Sequence, residues 1–517
     1  MSSQTHQRIK NNGIFYTPAN IADLLAEHAI KKRGISIFDP ACGKGSLLKA
    51  AIKRCAKLPV RQKPYLVGCD RFVQRDLEKD INFIRSDFFT FKTNKKFDLI
   101  LTNPPYVQAG RIAKKVRTRY YKRYAKPLGL SANLDLWVYF LIKCATHLKR
   151  GGAIAAILPW SFLETDYAQG IRKWISENFG NIHVLVLKGA HFQNTVKRVL
   201  LVWLQEYGAN TRGIRLGYAD ECDSERYFQD VPIQVWNSEN IMAGLNPGAT
   251  NIMSRLQEAG FRPFEEYANV SIGIVTGANK FFVRSKADAA MSGFSKKSVL
   301  RILTSVKDLH QVIDSGSSDK VLLQFNRMTK KKDRYVSKGK RLGLHKRTHC
   351  LRRKEQTGLW YTVNPGPVPD AFFTYRVSTM PYLVQNPDSF QCTNALHKVL
   401  FNSACKTEQR WIQLSFLSLF SQFSLEVSGR HYGNGIIKIE PKALKKSLVY
   451  ASKKRIPDKV YNDILQPLRK RDKDEACLRA TRFVAKAADI DDGLAKDVLT
   501  SLNWSRALRG APMLRIE

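Results

Sequence analysis

Acidic residues are scarce in this sequence. Its 517 residues contain 44 Asp and Glu against 85 Lys and Arg, which gives a formal net charge of +41 at pH 7. Such an excess of positive charge is typical of a protein that contacts a polyanion, most often nucleic acid. The alternative is a generically basic protein. Basic and aromatic side chains alternate in several segments, however, and this favours nucleic acid as the partner.

Metal-binding and membrane-spanning patterns are also missing. The nine cysteines form no Cys-x-x-Cys pair and no Cys/His cluster with zinc spacing, so we expect reduced thiols and no metal site. No apolar run approaches the length of a membrane span, residues 2–12 do not resemble a signal peptide, and no internal repeat is visible. We therefore expect a cytoplasmic protein, and the chain length predicts two or three domains.

Four short apolar runs, each followed by a polar residue, organise the first hundred residues. Each run has the length and composition of a buried parallel strand. The runs and their polar residues are 35–38 with Asp39, 65–69 with Asp70, the region around 83–84 with Asp87, and 97–101 with Asn103. The carboxyl ends of parallel strands meet at one edge of an α/β sheet, where ligands bind. The pattern therefore predicts an α/β domain with these residues at one site.

The segment from Asp39 to Ser46 joins the first strand to an apolar helix pattern at 47–55. Its glycines allow a ligand to approach the backbone closely. The segment lacks the Gly-Lys-Ser/Thr ending of a phosphate loop, and Asp39 would repel phosphate. We therefore predict a cationic ligand with an amino-acid moiety. Asp70 has the spacing of a carboxylate that binds a ribose diol, and Asp87 and Phe88 suit an adenine amine and its ring.

The stretch Asn103-Pro104-Pro105-Tyr106 is a stiff extended loop, because two prolines cannot continue a strand or a helix interior. It offers a side-chain amide, backbone carbonyls and an aromatic ring, which suit a flat ring that carries an amine. Taken alone, the motif is equally compatible with an ordinary Pro-rich turn.

Two segments flank these motifs. Near the N-terminus, Thr17 reads as an N-cap and Pro18 as the first helical residue. After Tyr106, residues 111–126 are basic, contain no acid and include three tyrosines. We predict that this segment is a loop that contacts a phosphate backbone and orders on binding, although a solvated helix face is the alternative.

The order of these motifs resembles that of the gamma-class amino-methyltransferases. Tyr16-Thr17-Pro18, Asp39 to Gly45, Asp70, Asp87-Phe88 and Asn103 to Tyr106 follow one another as in a TaqI-like DNA adenine-N6 methyltransferase of restriction-modification systems. The resemblance covers roughly the first two hundred residues. It implies a Rossmann-like class I methyltransferase domain, S-adenosylmethionine as the cofactor, and a mixed α+β DNA target-recognition domain with a helical C-terminal tail.

The resemblance also implies roles for individual residues. Thr17 and Asp39 would hold the methionine part of the cofactor, Asn103 and Pro104 the target amine, and Tyr106 and Phe192 the two faces of a flipped base. Phe192 lacks the proline that often follows this aromatic. The implied catalytic set is Asn103, Pro104, Pro105, Tyr106 and Phe192. The implied cofactor site comprises Tyr16, Thr17, Pro18, Asp39, Pro40, Ala41, Cys42, Gly43, Gly45, Asp70, Arg71, Asp87 and Phe88.

The second half carries the candidate DNA surface. Residues 272–282 read as strand, tight turn and strand, residues 327–354 are densely basic, and both segments suit a recognition domain. The predicted domains are residues 1–215, 245–450 and a tail at 451–517. The predicted DNA contacts are Lys114, Lys115, Arg117, Arg119, Lys122, Arg123, Thr276, Asn279, Lys280, Lys330, Lys331, Lys332, Lys340 and Arg341.

Rival interpretations remain open at this point. The same loop could hold the amine of an RNA adenine, a cytosine N4 amine or, in a more compact family, a protein glutamine. We expect double-stranded DNA as the partner, a monomer in the cytoplasm of a bacterial or archaeal cell, and a separate restriction endonuclease. Nuclease activity of this chain itself is not expected, because few residues precede the Thr-Pro motif and no Pro-Asp…Glu-x-Lys site is visible.

Overall fold

The protein forms two compact units. A computed structural model describes residues 17–32, 34–59, 62–72, 77–187, 199–219, 227–238, 241, 246, 248–309, 318–326, 328–432 and 435–514. Unit 1 spans Met1–Leu245 and unit 2 spans Asn246–Glu517. Unit 1 thus includes residues 216–245, and unit 2 includes residues 451–517.

Unit 1 is built around a sheet whose described strands run in the order β3-β2-β1-β4-β5-β7-β6-β8-β9. Strands β3, β2, β1, β4 and β5 are parallel, and β7 is antiparallel to both of its neighbours. The strands are β1 Ser36–Asp39, β2 Tyr65–Asp70, β3 Ile81–Arg85, β4 Phe97–Thr102, β5 Leu148–Pro159, β6 Phe179–Leu187, β7 Val199–Tyr207, β8 Gly213–Ala219 and β9 Tyr227–Asp230. The helices are α1 Ala19–Ala29, α2 Ser46–Ala56, α3 Lys114–Tyr120, α4 Leu136–Ala145, α5 Ser161–Glu164, α6 Asp166–Asn178 and α7 Ile233–Trp236.

The inner parallel strands β1, β2, β4 and β5 are largely buried because helices cover both faces, whereas the edge strand β3 buries only Ile81. On one face, α1 and α2 pack through Leu25 and Ala51 against Ile37 and Leu99. On the other face, Phe38 stacks on Phe97 with ring centroids 4.8 Å apart. Apolar runs without alternation are typical of strands covered on both sides. The predicted Rossmann-like α/β architecture is confirmed.

Three local predictions for unit 1 are wrong. Residues 114–128 form α3 followed by short helical turns, rather than a loop, because Tyr120 and Tyr124 lie one turn apart and are both buried. The apolar pattern over 133–148 predicts one long helix, but α4 spans only Leu136–Ala145, and residues 148–152 belong to β5. Helix α1 begins one residue late, with Pro18 as its N-cap, so Thr17 does not cap it.

Unit 2 contains four small described sheets. Their strand orders are β10-β22, β11-β19-β15-β17, β12-β14-β13-β18 and β16-β21-β20. The strands are β10 Arg262–Pro263, β11 Ala268–Ile272, β12 Val283–Ser285, β13 Val299–Leu303, β14 Lys320–Leu323, β15 Ala371–Thr374, β16 Arg376–Val377, β17 Leu383–Gln385, β18 Gln391–Cys392, β19 Leu396–Phe401, β20 Arg430–Tyr432, β21 Ile436–Lys438 and β22 Leu448–Val449.

The helices of unit 2 pack around and between these sheets. They are α8 Ala249–Glu258, α9 Asn279–Phe282, α10 Lys286–Met291, α11 Lys330–Arg341, α12 Thr348–Thr357, α13 Lys406–Leu417, α14 Leu419–Ser428, α15 Pro441–Lys446, α16 Asp458–Arg469, α17 Lys473–Ala487 and α18 Asp492–Arg509. The predicted tail is helical and shares its core with the rest of unit 2, since Leu468 lies in one cluster with Trp411 and Leu502 in another with Phe420.

The segment 272–282 is not the predicted strand, turn and strand. After Gly277, whose φ is 75°, the chain forms the single helical turn α9 before β12. This turn buries the consecutive residues Phe281 and Phe282 in the same core, which a strand with alternating side chains would not do. Among the described residues, no helix is long and apolar enough to cross a membrane.

Candidate active site

The carboxyl edge of the unit 1 sheet carries the four polar residues that the sequence analysis expects there. Strand β1 ends at Asp39 and β2 at Asp70, while Asp87 and Asn103 follow β3 and β4. Backbone hydrogen bonds connect these strand ends, since the Ser86 N–H donates to the Asp70 carbonyl over 2.9 Å. The topology therefore concentrates carboxylates and one amide at a single edge.

The loop after Asp39 is held against β2. The Gly43 N–H donates to Asp70 Oδ2 over 2.9 Å, and the Cys42 N–H donates to the Cys69 carbonyl over 3.1 Å. Gly43 and Gly45 have φ angles of 48° and 78°, in the region that favours glycine. A Cβ on Gly45 would lie 2.5 Å from Leu77 Cδ2, so the position has no room for a side chain.

Asp39 gives this edge its electrostatic character. The residue is 1% exposed, and its Oδ1 accepts the Ala41 N–H over 3.1 Å. Burial raises the pKa of Asp39 to about 8, the charge of Asp70 adds to the rise, and the Ala41 hydrogen bond opposes it. No described Lys, Arg or His forms an ion pair with Asp39 or Asp70, so a cationic ligand would be stabilised here.

Asn103 lies between Thr17 and Tyr106. Its Nδ2 donates to Thr17 Oγ1 over 3.1 Å, and the Tyr106 hydroxyl lies 2.9 Å from its Oδ1. The same hydroxyl lies 2.8 Å from the Ile157 carbonyl on β5, and a phenol, with one hydrogen, donates to one of these acceptors at a time. The contact with Thr17 joins the N-terminal motif to the Asn-Pro-Pro-Tyr loop.

Asp87 keeps a partly exposed carboxylate after β3, whereas the ring of Phe88 is buried. Asp87 Oδ1 accepts the Phe89 N–H over 2.9 Å, and Oδ2 lies 3.8 Å from Arg71 Nε. The ring of Phe88 is 3% exposed and packs on Phe140 with centroids 4.6 Å apart. The prediction that this ring stacks on a nucleobase is therefore wrong. The aromatic at this position is part of the core.

Lys143 was missed by the sequence analysis. It lies on α4, is 5% exposed, and donates to the carbonyls of Phe88 and Phe91, the latter over 2.9 Å. The signal for it is visible in the sequence, because Lys143 is the single charged residue in the apolar helix Leu136–Ala145. A lone charge in such a helix requires a buried partner.

Several predicted residues add little to the geometry. Tyr16 and Phe192 lie outside the described residues. Pro18 starts α1, Pro40, Cys42 and Pro104 are buried, and Ala41 and Pro105 are half-buried. Burial raises the pKa of Cys42 and raises that of Cys69 to about 12, so neither thiol is an ionised nucleophile at neutral pH. No group of three or more His, Cys, Asp and Glu that could hold a metal occurs among the described residues.

The basic segment of unit 1 exposes most of its cations. Lys114, Lys115, Arg119, Lys122 and Arg123 are exposed on α3 and the turn that follows. Arg117 differs, because its Nη1 donates to the Ala109 carbonyl over 2.9 Å and is partly buried there.

Two of the predicted DNA contacts in unit 2 are wrong. Thr276 is 1% exposed and its Oγ1 accepts the Ala278 N–H, while Lys332 is 2% exposed and donates to Ser298 Oγ over 3.0 Å. Lys332 shares the buried face of α11 with Val336. The exposed predicted contacts are Asn279, Lys280, Lys330, Lys331, Lys340 and Arg341.

Known proteins match both halves of the chain. Residues 45–191 match the Eco57I restriction-modification methylase family, and residues 239–484 match the C-terminal domain of the type II methyltransferase M.Eco57I. The type II methyltransferase M.AccI of Acinetobacter calcoaceticus is 22% identical over 482 residues, which cover 84% of each chain. The modification methylase CviBIII of Paramecium bursaria Chlorella virus NC1A is 31% identical over 182 residues, which cover 33% of this chain and 44% of the viral protein.

Two solved structures are similar in fold. The type IIL restriction-modification enzyme MmeI in complex with DNA matches with a TM-score of 0.51 and 12% identity, over 97% of this chain and 72% of that one. The DrdV–DNA complex matches with a TM-score of 0.50 and 11% identity, over 88% of this chain and 57% of that one. Together with the family matches, the sequence relatives support a DNA methyltransferase of the restriction-modification type.

Proposed function

We propose that this chain transfers a methyl group from S-adenosylmethionine to N6 of an adenine flipped out of duplex DNA, as the modification component of a restriction-modification system. The observation that carries the proposal is the 3.1 Å hydrogen bond from Asn103 Nδ2 to Thr17 Oγ1 at the edge that also holds Asp39 and Asp70. It brings the residue suited to the amine within one hydrogen bond of the motif suited to the cofactor.

The cofactor end fits a cation. Asp39 is buried with no described cation beside it, and a sulfonium or ammonium group would favour its ionised form. Asp70 already holds the glycine loop by accepting the Gly43 N–H, and its Oδ1 accepts the Phe72 N–H over 3.0 Å. When bound, S-adenosylmethionine would supply a methyl group on a positively charged sulfur.

The amine end fits an exocyclic amine of a base. The lone pair of such an amine is delocalised into the ring, which makes the nitrogen a poor nucleophile. Asn103 Oδ1 and the Pro104 carbonyl would accept its two hydrogens and favour a pyramidal nitrogen whose lone pair points at the methyl group. Thr17 fixes the Asn103 amide in advance, so orientation supplies much of the rate enhancement.

The Tyr106 hydroxyl can leave the Asn103 oxygen to the base, because the Ile157 carbonyl is an alternative acceptor 2.8 Å away. That hydroxyl lies 2.9 Å from the Asn103 oxygen, the acceptor that the amine needs. A base paired in the duplex cannot reach this acceptor, so it must be flipped, at a cost of a few kcal/mol of unstacking. Stacking of the Tyr106 ring on the base would return about 1–3 kcal/mol.

DNA is the expected polyanion for the exposed cations of each unit. The exposed side chains of Lys114, Lys115 and Lys122 in unit 1, and of Lys330 and Arg341 in unit 2, would contact phosphates. Binding through such contacts weakens steeply with salt. In this proposal, cleavage of unmodified DNA is left to a separate endonuclease.

The test is Asn103→Ala with tritiated S-adenosylmethionine and duplex DNA. We expect loss of about a thousandfold or more in methyl transfer, because the oriented acceptor is gone, with cofactor affinity within about threefold of wild type. Asn94→Ala, an exposed asparagine in the loop leading into β4 at the other end of that strand, is the matched control and should transfer at the wild-type rate.

The products decide between target bases. Digestion of the methylated DNA to nucleosides, followed by mass spectrometry, should show N6-methyladenine. N4-methylcytosine, incorporation into RNA but not DNA, or equal transfer by Asn103→Ala and wild type would each contradict the proposal.

A further inference from the structure

A compact turn follows β3 and carries Asp87. The N–H groups of Thr90 and Phe91 each donate to the Asp87 carbonyl over 2.9 Å, and the Phe89 N–H donates to Asp87 Oδ1 over 2.9 Å. These bonds fix residues 87–91 as a unit, which we call the Asp87 turn. The carbonyls of Phe88 and Phe91 remain to be satisfied by another part of the fold.

Lys143 satisfies both carbonyls. Its Nζ donates to Phe88 and Phe91, and it lies 4.7 Å from the centroid of the Phe88 ring. The residue is 5% exposed, so the ammonium is withdrawn from water and these contacts replace its hydration. An ammonium group buried against two carbonyls of one turn fixes that turn relative to α4.

We infer that Lys143 is a positioning residue: its ammonium holds the Asp87 turn in the shape that presents this turn to the adenine of the cofactor. The inference rests on the proposed function. Lys143 donates to the turn and does not itself reach the reacting atoms. Loss of its charge should therefore weaken cofactor binding while the amine-binding residues Asn103 and Tyr106 keep their contacts.

The surroundings of Lys143 make its charge sensitive to pH. Burial lowers the pKa of Lys143 to about 8, the charge of Arg123 adds to the fall, and Asp87 opposes it. The thiols of Cys69 and Cys144 oppose it less, because their own pKa values are raised and they stay uncharged near neutral pH. Burial lowers the pKa of His147, two residues beyond the end of α4, to about 4, so that ring is neutral near pH 7 as well.

The test measures S-adenosylhomocysteine binding by calorimetry on the full chain. Lys143→Met should weaken binding by about tenfold or more, because two hydrogen bonds from a charged donor are lost, while the affinity for duplex DNA changes by less than about twofold. In steady state the loss should appear in KM for the cofactor more than in KM for DNA. Lys149→Met, which removes a lysine paired with Asp98 at the other edge of the sheet, is the matched control and should bind like wild type.

The pH profile separates positioning from simple support of the fold. Relative to Lys143→Arg, in which Asp39 titrates in the same way, wild-type affinity should fall as pH rises through about 8, where the Lys143 ammonium is lost. Lys143→Arg should restore much of the affinity and lack that fall, since a guanidinium stays charged. The cofactor's own amino group titrates in both proteins, so the difference between the two profiles isolates Lys143.

Each outcome has a distinct meaning. Wild-type binding by Lys143→Met, or identical pH profiles for wild type and Lys143→Arg, overturns the inference and leaves the proposed function intact. Failure of wild type to bind S-adenosylhomocysteine overturns both. If Lys143→Met does not fold, the pH profiles of wild type and Lys143→Arg still test whether the Lys143 charge supports cofactor binding.

Discussion

Each unit buries a carboxylate, and the two carboxylates behave in opposite ways. Asp39 in unit 1 is 1% exposed and Glu426 in unit 2 is 3% exposed. Burial raises the pKa of Asp39 to about 8. Burial alone would also raise the pKa of Glu426, but the charge of Arg509 and hydrogen bonds from His431 and Arg509 lower it to about 2.

The difference lies in the partners. Arg509 Nε contacts Glu426 Oε1 over 2.5 Å, its Nη2 contacts Oε2 over 3.2 Å, and His431 Nε2 lies 3.1 Å from Oε1. Arg509 also donates to the carbonyls of Ser378 and Gly435, so the network ties α18 to its surroundings. A buried carboxylate that is paired with a cation of the protein contributes to the structure. A buried carboxylate without such a partner is suited to bind a cationic ligand.

The largest expected effect is on the stability of unit 2. Glu426→Gln should lower the free energy of unfolding by about 3–5 kcal/mol, because it leaves the fully buried Arg509 without a counter-charge. Urea unfolding followed by circular dichroism measures this.

Glu440→Gln is the control for that change. Glu440 pairs with Lys438 over 2.7 Å, and its side chain is 42% exposed, so its loss should cost less than about 1 kcal/mol. Equal effects of the two substitutions would mean that burial of the Glu426–Arg509 pair adds nothing to its contribution to stability.

Asp39→Asn, unlike Glu426→Gln, should lower cofactor affinity without lowering stability. Cofactor affinity should fall by about tenfold or more, since the anion opposite the cationic ligand is gone. The ligand-free protein should be at least as stable as wild type at pH 7, because the cost of burying Asp39 is removed. Calorimetry with S-adenosylmethionine and thermal unfolding test the two halves, and a destabilised Asp39→Asn would place Asp39 with the structural carboxylates.

The pH dependence of the two residues should also run in opposite directions. Stability from Glu426 is present above pH 4.5, its ordinary pKa, and is lost as pH falls towards about 2. Stability from Asp39 is present below pH 3.8 and is lost as pH rises through about 8. Binding of a cation near pH 7 should therefore release up to about one proton from Asp39. Calorimetry in phosphate and Tris buffers measures the release, which Asp39→Asn should abolish.

The smallest effect is expected at the exposed ion pair between Arg71 and Asp87. The two groups are 3.8 Å apart, with side chains 69% and 37% exposed, so solvent screens them. Arg71→Ala should change cofactor affinity by less than about threefold. A loss as large as that of Asp39→Asn would instead mean that Arg71 contacts the cofactor directly, as the family resemblance implies.

Much of unit 1 could be predicted from the sequence because its signals are local. Buried parallel strands require continuous apolar runs, and the polar residue after each run falls at the ligand edge, so Asp39, Asp70 and Asn103 could be placed without a structure. The orientation of the Phe88 ring could not be predicted, because a ring at a strand end can face a ligand or the core. Here it faces the core and packs on Phe140.

In unit 2 charge density identified a basic region but not which cations face solvent. Lys332 is buried because it lies on the same helical stripe as Val336 and Gly339, a spacing visible in the sequence. Thr276 is buried for a reason that no spacing reveals, since its hydroxyl closes its own turn on Ala278 and Asn279. His431 is likewise buried, as an internal partner of Glu426.

The hydroxyl of Tyr106 has a consequence for the protein between turnovers. A site that holds a reactive methyl group risks methylating its own side chains, and a phenolate would be a good acceptor. Burial holds the pKa of Tyr106 well above its usual range, and the carbonyl of Ile157 and the amide oxygen of Asn103 both compete for its single hydrogen. The phenol therefore stays un-ionised at neutral pH, and under the proposed function this would protect the tyrosine from methylation by the bound cofactor.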